Sequence, residues 1–133
     1  MRLKPTLDKD RAVALVVEDD SLIRMNAAAI MEDVGFAVIE ACDADEAMRA
    51  LENQHDIRAV FTDITMPGSM DGWALAQTIC SRWPLIHLII TSGRTMPSYP
   101  NLPKSGRFIA KPYAAAHVRA ALTELAGGDL RHH

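Results

Sequence analysis

AVALVVEDD, residues 12–20, carries a fold signal in its first six positions and a chemical one in its last three. AVALVV is an unbroken apolar run rich in valine, the pattern of a short strand buried on both faces. Strands covered on both faces belong to parallel sheets flanked by helices, so strand and helix patterns should alternate along the chain. They do. Ile23, Ala27, Ile30 and Val34 form one face of a helix, and Gly35 stands where a C-terminal glycine belongs. FAVIE (36–40) reads as a second strand. Asp43 and Glu46 make a capping box ahead of an apolar stripe of Ala44, Ala47, Met48 and Leu51. IRAVFTD (57–63) is a third strand, broken by Met66-Pro67-Gly68. Asp71 then caps a helix whose Trp73, Ala76, Cys80 and Trp83 share a face before Pro84. LIHLIIT (85–91) and RFIA (107–110) are strands four and five. A last helix carries Val118, Leu122 and Leu125, and Gly127-Gly128 ends it.

The pattern predicts an α/β fold, a doubly wound five-stranded parallel sheet with helices on both faces. One element is out of step. TMPSYPNLP (95–103) occupies the place of the fourth helix, yet Pro97, Pro100 and Pro103 each lack an N–H and disfavour helix in the residue before. The fourth helix should be short or replaced by a Pro-rich loop.

The 133 residues suit one domain, with a polar N-terminal extension (1–10), a folded body (11–126) and a C-terminal tail (127–133). A net charge of −3 argues against a nucleic-acid-binding surface. The apolar runs are too short to span a membrane, and MRLKPTLDKDR has no apolar signal core, so a cytoplasmic location is expected. Cys42 and Cys80 lack metal-ligand or redox spacing and read as reduced thiols.

In a doubly wound sheet, ligands bind beyond the carboxyl ends of the strands. Strand one ends in Glu18-Asp19-Asp20, strand three in Asp63, strand four in Thr91-Ser92 and strand five in Lys111-Pro112. Each has an ordinary explanation when taken alone. Asp20 or Ser21 caps the next helix, a lone loop Asp makes an Asx-turn, and a surface Lys is solvated. Together they deliver carboxylates, a hydroxyl and an ammonium to one edge. Crowded carboxylates call for a cation, and an all-oxygen set without Cys or His favours Mg²⁺ over zinc. Metal, ammonium and hydroxyl together suit a phosphoryl group. A carboxylate can itself accept that group as an aspartyl-phosphate, and Asp63 is the best placed.

LVVEDD, TDITMPGSMDG, IITSG and FIAKP resemble the motifs of two-component response regulator receiver domains, over roughly residues 11–126. The resemblance implies a flavodoxin-like strand order 2-1-3-4-5. It makes Asp63 the phosphoacceptor, supplied by a histidine kinase or phosphotransfer protein, and the chain a signalling protein rather than an enzyme. Mg²⁺ would be held by Glu18, Asp19, Asp63 and the backbone carbonyl of Thr65. Lys111 would pair with a phosphoryl oxygen, Thr91 would be the switch hydroxyl and Phe108 the aromatic switch. A Phe in a strand is also an ordinary core residue. Thr65 and Ser92 would tune the lifetime of the phosphoryl group.

The turn MPGSMDG has one residue more than the commoner MPxMDG form, and with the Pro-containing loop it resembles alphaproteobacterial single-domain receivers. Residues 112–133 hold one helix and a polar tail, less than the roughly 50 residues of an independent domain. Arg131-His132-His133 makes no defined metal site. The expectation is therefore a stand-alone receiver, monomer or weak dimer, that signals or relays through contact with a downstream protein and needs neither nucleic acid nor membrane. The alternatives are a Mg²⁺-dependent phosphohydrolase and a phosphorylation-independent binding module. Thr65 stands where a phosphohydrolase would need a second acid/base Asp.

Overall fold

The computed structural model describes residues 12–64, 72–92 and 106–125. Strands β1 (Val13–Val17), β2 (Ala37–Ala41), β3 (Ile57–Asp63), β4 (His87–Ser92) and β5 (Gly106–Ala110) form one parallel sheet in the order β2-β1-β3-β4-β5. The helices are α1 (Ser21–Val34), α2 (Ala44–Asn53), α3 (Gly72–Arg82) and α4 (Ala115–Leu125). This is the doubly wound, flavodoxin-like order expected from the sequence. The proline stretch 95–103, Thr65, the MPGSMDG turn up to Asp71, and the two chain ends fall outside the described residues.

Each strand divides its side chains between two cores. Leu15, Val17, Val60, Leu88 and Ile90 pack with Ala47 and Leu51 of α2 and with Leu75 and Ile79 of α3. Ala14, Val16, Phe61, Ile89 and Ile109 pack on the opposite face with Ala27, Ile30 and Met31 of α1 and with Val118 and Leu122 of α4. The period-two alternation of a strand makes this partition, and it fixes which strand-end side chains face one another.

Local chemistry sets the helix ends. Asp20 Oδ1 accepts from the backbone N–H groups of Leu22 and Ile23, which makes Asp20 rather than Ser21 the cap of α1. Gly35 closes α1 at φ 123°, a region that side-chain-bearing residues avoid. At α2, Asp43 Oδ1 accepts from Glu46 N at 2.8 Å, while Glu46 Oε1 reaches the N–H of Cys42 at 2.9 Å, one residue before the usual capping-box partner. The sequence reading places β4 two residues early. Leu85 is 88% exposed, and only Ile86 of the pair is buried, in the turn before the strand. On α3 the most buried positions are Leu75, Ala76 and Ile79, with Trp73, Cys80 and Trp83 at the margins of the core. The predicted stripe therefore contains one of the three most buried positions and otherwise borders them.

Candidate functional site

The strand order reverses between β1 and β3, so their carboxyl ends flank the crevice where ligands bind in doubly wound sheets. Alternation continues the Ala14–Val16 face to Glu18, the Ala59–Phe61 face to Asp63, Ile89 to Thr91 and Ile109 to Lys111. All four residues thus share the α1/α4 face of the sheet. Asp63 and Thr91 are register partners on neighbouring strands. Ile64 N donates to Thr91 O at 3.0 Å and ties the two strand ends together.

Lys111 follows β5 and reaches across β4, a span of about two strand spacings or 10 Å. Its Nζ donates to Asp63 Oδ2 at 2.9 Å and to Glu18 Oε1 at 3.0 Å. Glu18 is 2% exposed and Asp63 4%. Glu18 Oε2 also accepts from Asp20 N at 3.2 Å, and Glu18 O accepts from Arg24 Nη1 at 2.9 Å. Arg24 is held in turn by Glu40 at 3.0 Å.

Burial pushes the Glu18 carboxyl above its ordinary value, against the hydrogen bonds from Lys111 and the Asp20 N–H, and the charge of Asp63 adds to the rise. Burial alone would lower Lys111, but its bonds to Asp63 and Glu18 and their charges outweigh that and leave it raised. The ammonium is therefore firmly protonated.

Carboxylate oxygens of Glu18, Asp19 and Asp63 lie within 4.8 Å of one another. Three carboxylates against one ammonium leave two negative charges, which one divalent cation balances. Hard oxygen donors with exposed Asp19 open to solvent suit Mg²⁺, which keeps part of its water shell. The donor set fits the metal.

Thr91 Oγ1 is fully buried and has no hydrogen-bond partner among the described residues. A lone hydroxyl beside an anionic site can donate to an oxygen that arrives there. Phe108 is placed differently from the other site residues. It is the register partner of Ile90 and packs with the α2/α3 core, on the face opposite Thr91 and Lys111. Its offset of three from Lys111 carries this information, because an odd spacing along a strand puts two side chains on opposite faces. Ser92 ends β4, and its side chain, like Thr65, is outside what is described. The sequence reading did not single out Tyr113. Its ring packs edge-on against Phe61 with centroids 5.3 Å apart, and its hydroxyl is buried without a partner. Only the position two residues after Lys111 could have pointed to it.

Residues 14–123 match the family model described as the response regulator receiver domain. The chain is 37% identical over 103 residues to an NtrX-like response regulator of Rickettsia bellii, which covers 74% of this chain and 21% of that protein. It is 32% identical over 133 residues to the transcriptional regulatory protein PdtaR of Mycobacterium tuberculosis, covering 96% of this chain and 63% of that one. The chain thus spans about a fifth of the length of the NtrX-like relative. Among solved structures, the response regulator receiver protein of Sinorhizobium medicae superposes with a TM-score of 0.78 at 21% identity, over 90% of this chain and 98% of that one. At that identity the likeness is one of fold.

Proposed function

The chain belongs to the response regulator receiver domain family, and on that premise we propose that Asp63 is its phosphoacceptor. Receiver domains take their phosphoryl group from histidine kinases, and the family generally uses Mg²⁺ to do so. The observation that carries the assignment to Asp63 is the Lys111 ammonium shared between two buried carboxylates, Glu18 and Asp63. Asp63 is the one at the end of the strand next to Thr91.

In the transfer, an Asp63 oxygen forms a P–O bond as the P–N bond of a phospho-histidine breaks, and the departing imidazole nitrogen keeps the electron pair. Lys111 holds the acceptor carboxylate in place and offers its ammonium to the charge on the phosphoryl oxygens. Thr91 Oγ1 supplies a further donor once those oxygens are present. Glu18, Asp19 and Asp63, with the carbonyl of Thr65, would hold Mg²⁺, which when bound supplies positive charge next to the phosphoryl oxygens. Thr65 and Ser92 are proposed to set the lifetime of the acyl phosphate. The donor is a histidine kinase or a phosphotransfer protein, and the output is contact with a downstream protein. The acyl phosphate carries about −1.5 to −2 where the carboxylate carried −1. Phosphorylation thus adds up to about one negative charge in this region and adds new acceptor oxygens, a local change that can bias a two-state element.

The family match favours this reading over a phosphohydrolase, and the acidic cluster with its charge-balanced lysine favours it over a module that binds without phosphorylation. No helix among the described residues is long and apolar enough to cross a membrane. Incubation with acetyl phosphate and Mg²⁺ should attach one phosphoryl group to the wild-type protein and none to Asp63→Asn. Equal labelling of the two would overturn the assignment.

A further inference from the structure

The Tyr113 hydroxyl is a buried polar group that the proposed site leaves unused. It has no hydrogen-bond partner among the described residues, which is unfavourable for a buried donor. Phenylalanine would fill the same space without that cost. Such a group gains a role only in a state of the protein that brings it an acceptor.

Several observations place Tyr113 beside the phosphorylation site. It follows Lys111 by two residues, at the turn into α4. Its ring meets Phe61 edge-on, with an interplanar angle of 65°, and Phe61 precedes Asp63 by two residues on the same face of β3. Tyr113 and Lys111 also line one open cleft of about 510 Å³, bordered on the other side by Leu22, Ile23 and Asn26 of α1. Burial raises the phenol above its ordinary value, Lys111 opposes the rise, and Glu18 and Asp63 add to it. The ring is within the field of the site.

We propose that Tyr113 is a further phosphoryl-binding residue, whose hydroxyl donates to a terminal oxygen of the phosphoryl group as it passes to Asp63. Lys111, Thr91 and Tyr113 then present three side-chain donors to a group with three terminal oxygens. Tyr113, unlike Phe108, lies on the same face of the sheet as the site. The proposal rests on Asp63 being the acceptor.

The test compares wild type, Tyr113→Phe and Tyr113→Leu with acetyl phosphate and Mg²⁺, following phosphorylation rate and thermal midpoint. Losing one hydrogen bond to a charged group should slow phosphorylation of Tyr113→Phe by about tenfold, while its thermal midpoint stays level or rises. Ring-labelled tyrosine gives a second readout by NMR, with Tyr99→Phe assigning the two signals. The Tyr113 resonance should move when Asp63 is phosphorylated. A labelled wild type with Tyr113→Phe reacting at the same rate overturns this proposal alone, even if Tyr113→Leu is slow, because the ring is then packing only. An unmoved Tyr113 resonance overturns it as well. A wild type that accepts no phosphoryl group overturns the Asp63 assignment, and this proposal with it.

Discussion

Two groups of three side chains that could bind a metal follow β1–β3 and β2, and they differ in what their charges already do. Glu18, Asp19 and Asp63 form one, and Cys42, Asp43 and Glu46 form the other, each with its ligand atoms within 4.8 Å. In the second group the carboxylates serve the start of α2. Asp43 accepts from the Glu46 N–H and Glu46 from the Cys42 N–H, which together with the Cys42 thiol holds the Glu46 carboxyl below its usual range. The hydrogen bond to Glu46 in turn pushes the Cys42 thiol up, so it stays protonated and is a poor ligand. In the first group Glu18 and Asp63 are buried, a single ammonium serves both, and burial works against the Glu18 charge. Close spacing of acidic residues is common to both groups. Unbalanced buried charge is found only in the first, and that distinguishes a site from a helix cap.

Lys111 is the residue on which the charge balance of the first group depends most. Lys111→Met leaves Glu18 and Asp63 facing each other, and without Mg²⁺ it should destabilise the protein by about 3 kcal/mol in urea unfolding. That figure is at the low end for a buried pair because the Lys111 side chain keeps 19% exposure. Adding Glu18→Gln should recover part of the loss. If Lys111→Met unfolds at the wild-type midpoint, the buried charges are not coupled through it.

Mg²⁺ separates the two groups next. At a hundredfold excess over its Kd, the ion should stabilise the wild type by about 2.7 kcal/mol. The effect should vanish in Asp19→Asn and persist in Asp43→Asn. The reverse pattern would put the metal at the start of α2. The smallest effect belongs to the cap itself. Asp43→Ala should cost about 1 kcal/mol of stability and leave phosphorylation unchanged, and a loss of phosphorylation would show that the two groups communicate.

Most of this contrast can be seen in the sequence, for a physical reason. Apolar runs at strand length and stripes at helical period reflect burial, so β3 was predicted residue for residue and the sheet order followed from the resemblance. The acidic strand ends, Asp63 and Lys111 were legible because parallel sheets bring those ends together. Strand starts were less so. Leu85 is apolar yet exposed, and only the turn after Trp83 determines that β4 begins at His87. The face of Phe108 follows from its odd offset to Lys111, but the place of Tyr113 depends on the path of the chain after β5, which is not written in residue type. The even spacings that put Lys111, Thr91 and Asp63 on one face do not single out a tyrosine beyond the end of a strand.

The account turns on which carboxylate takes the phosphoryl group. Borohydride reduces an acyl phosphate to the alcohol, so protein treated with acetyl phosphate and Mg²⁺ and then quenched should contain homoserine in place of the modified aspartate. Fragment spectra of the peptide 59–82 should place that change at residue 63. Reduction at Asp19 or Asp43 instead, with residue 63 intact, would contradict the account.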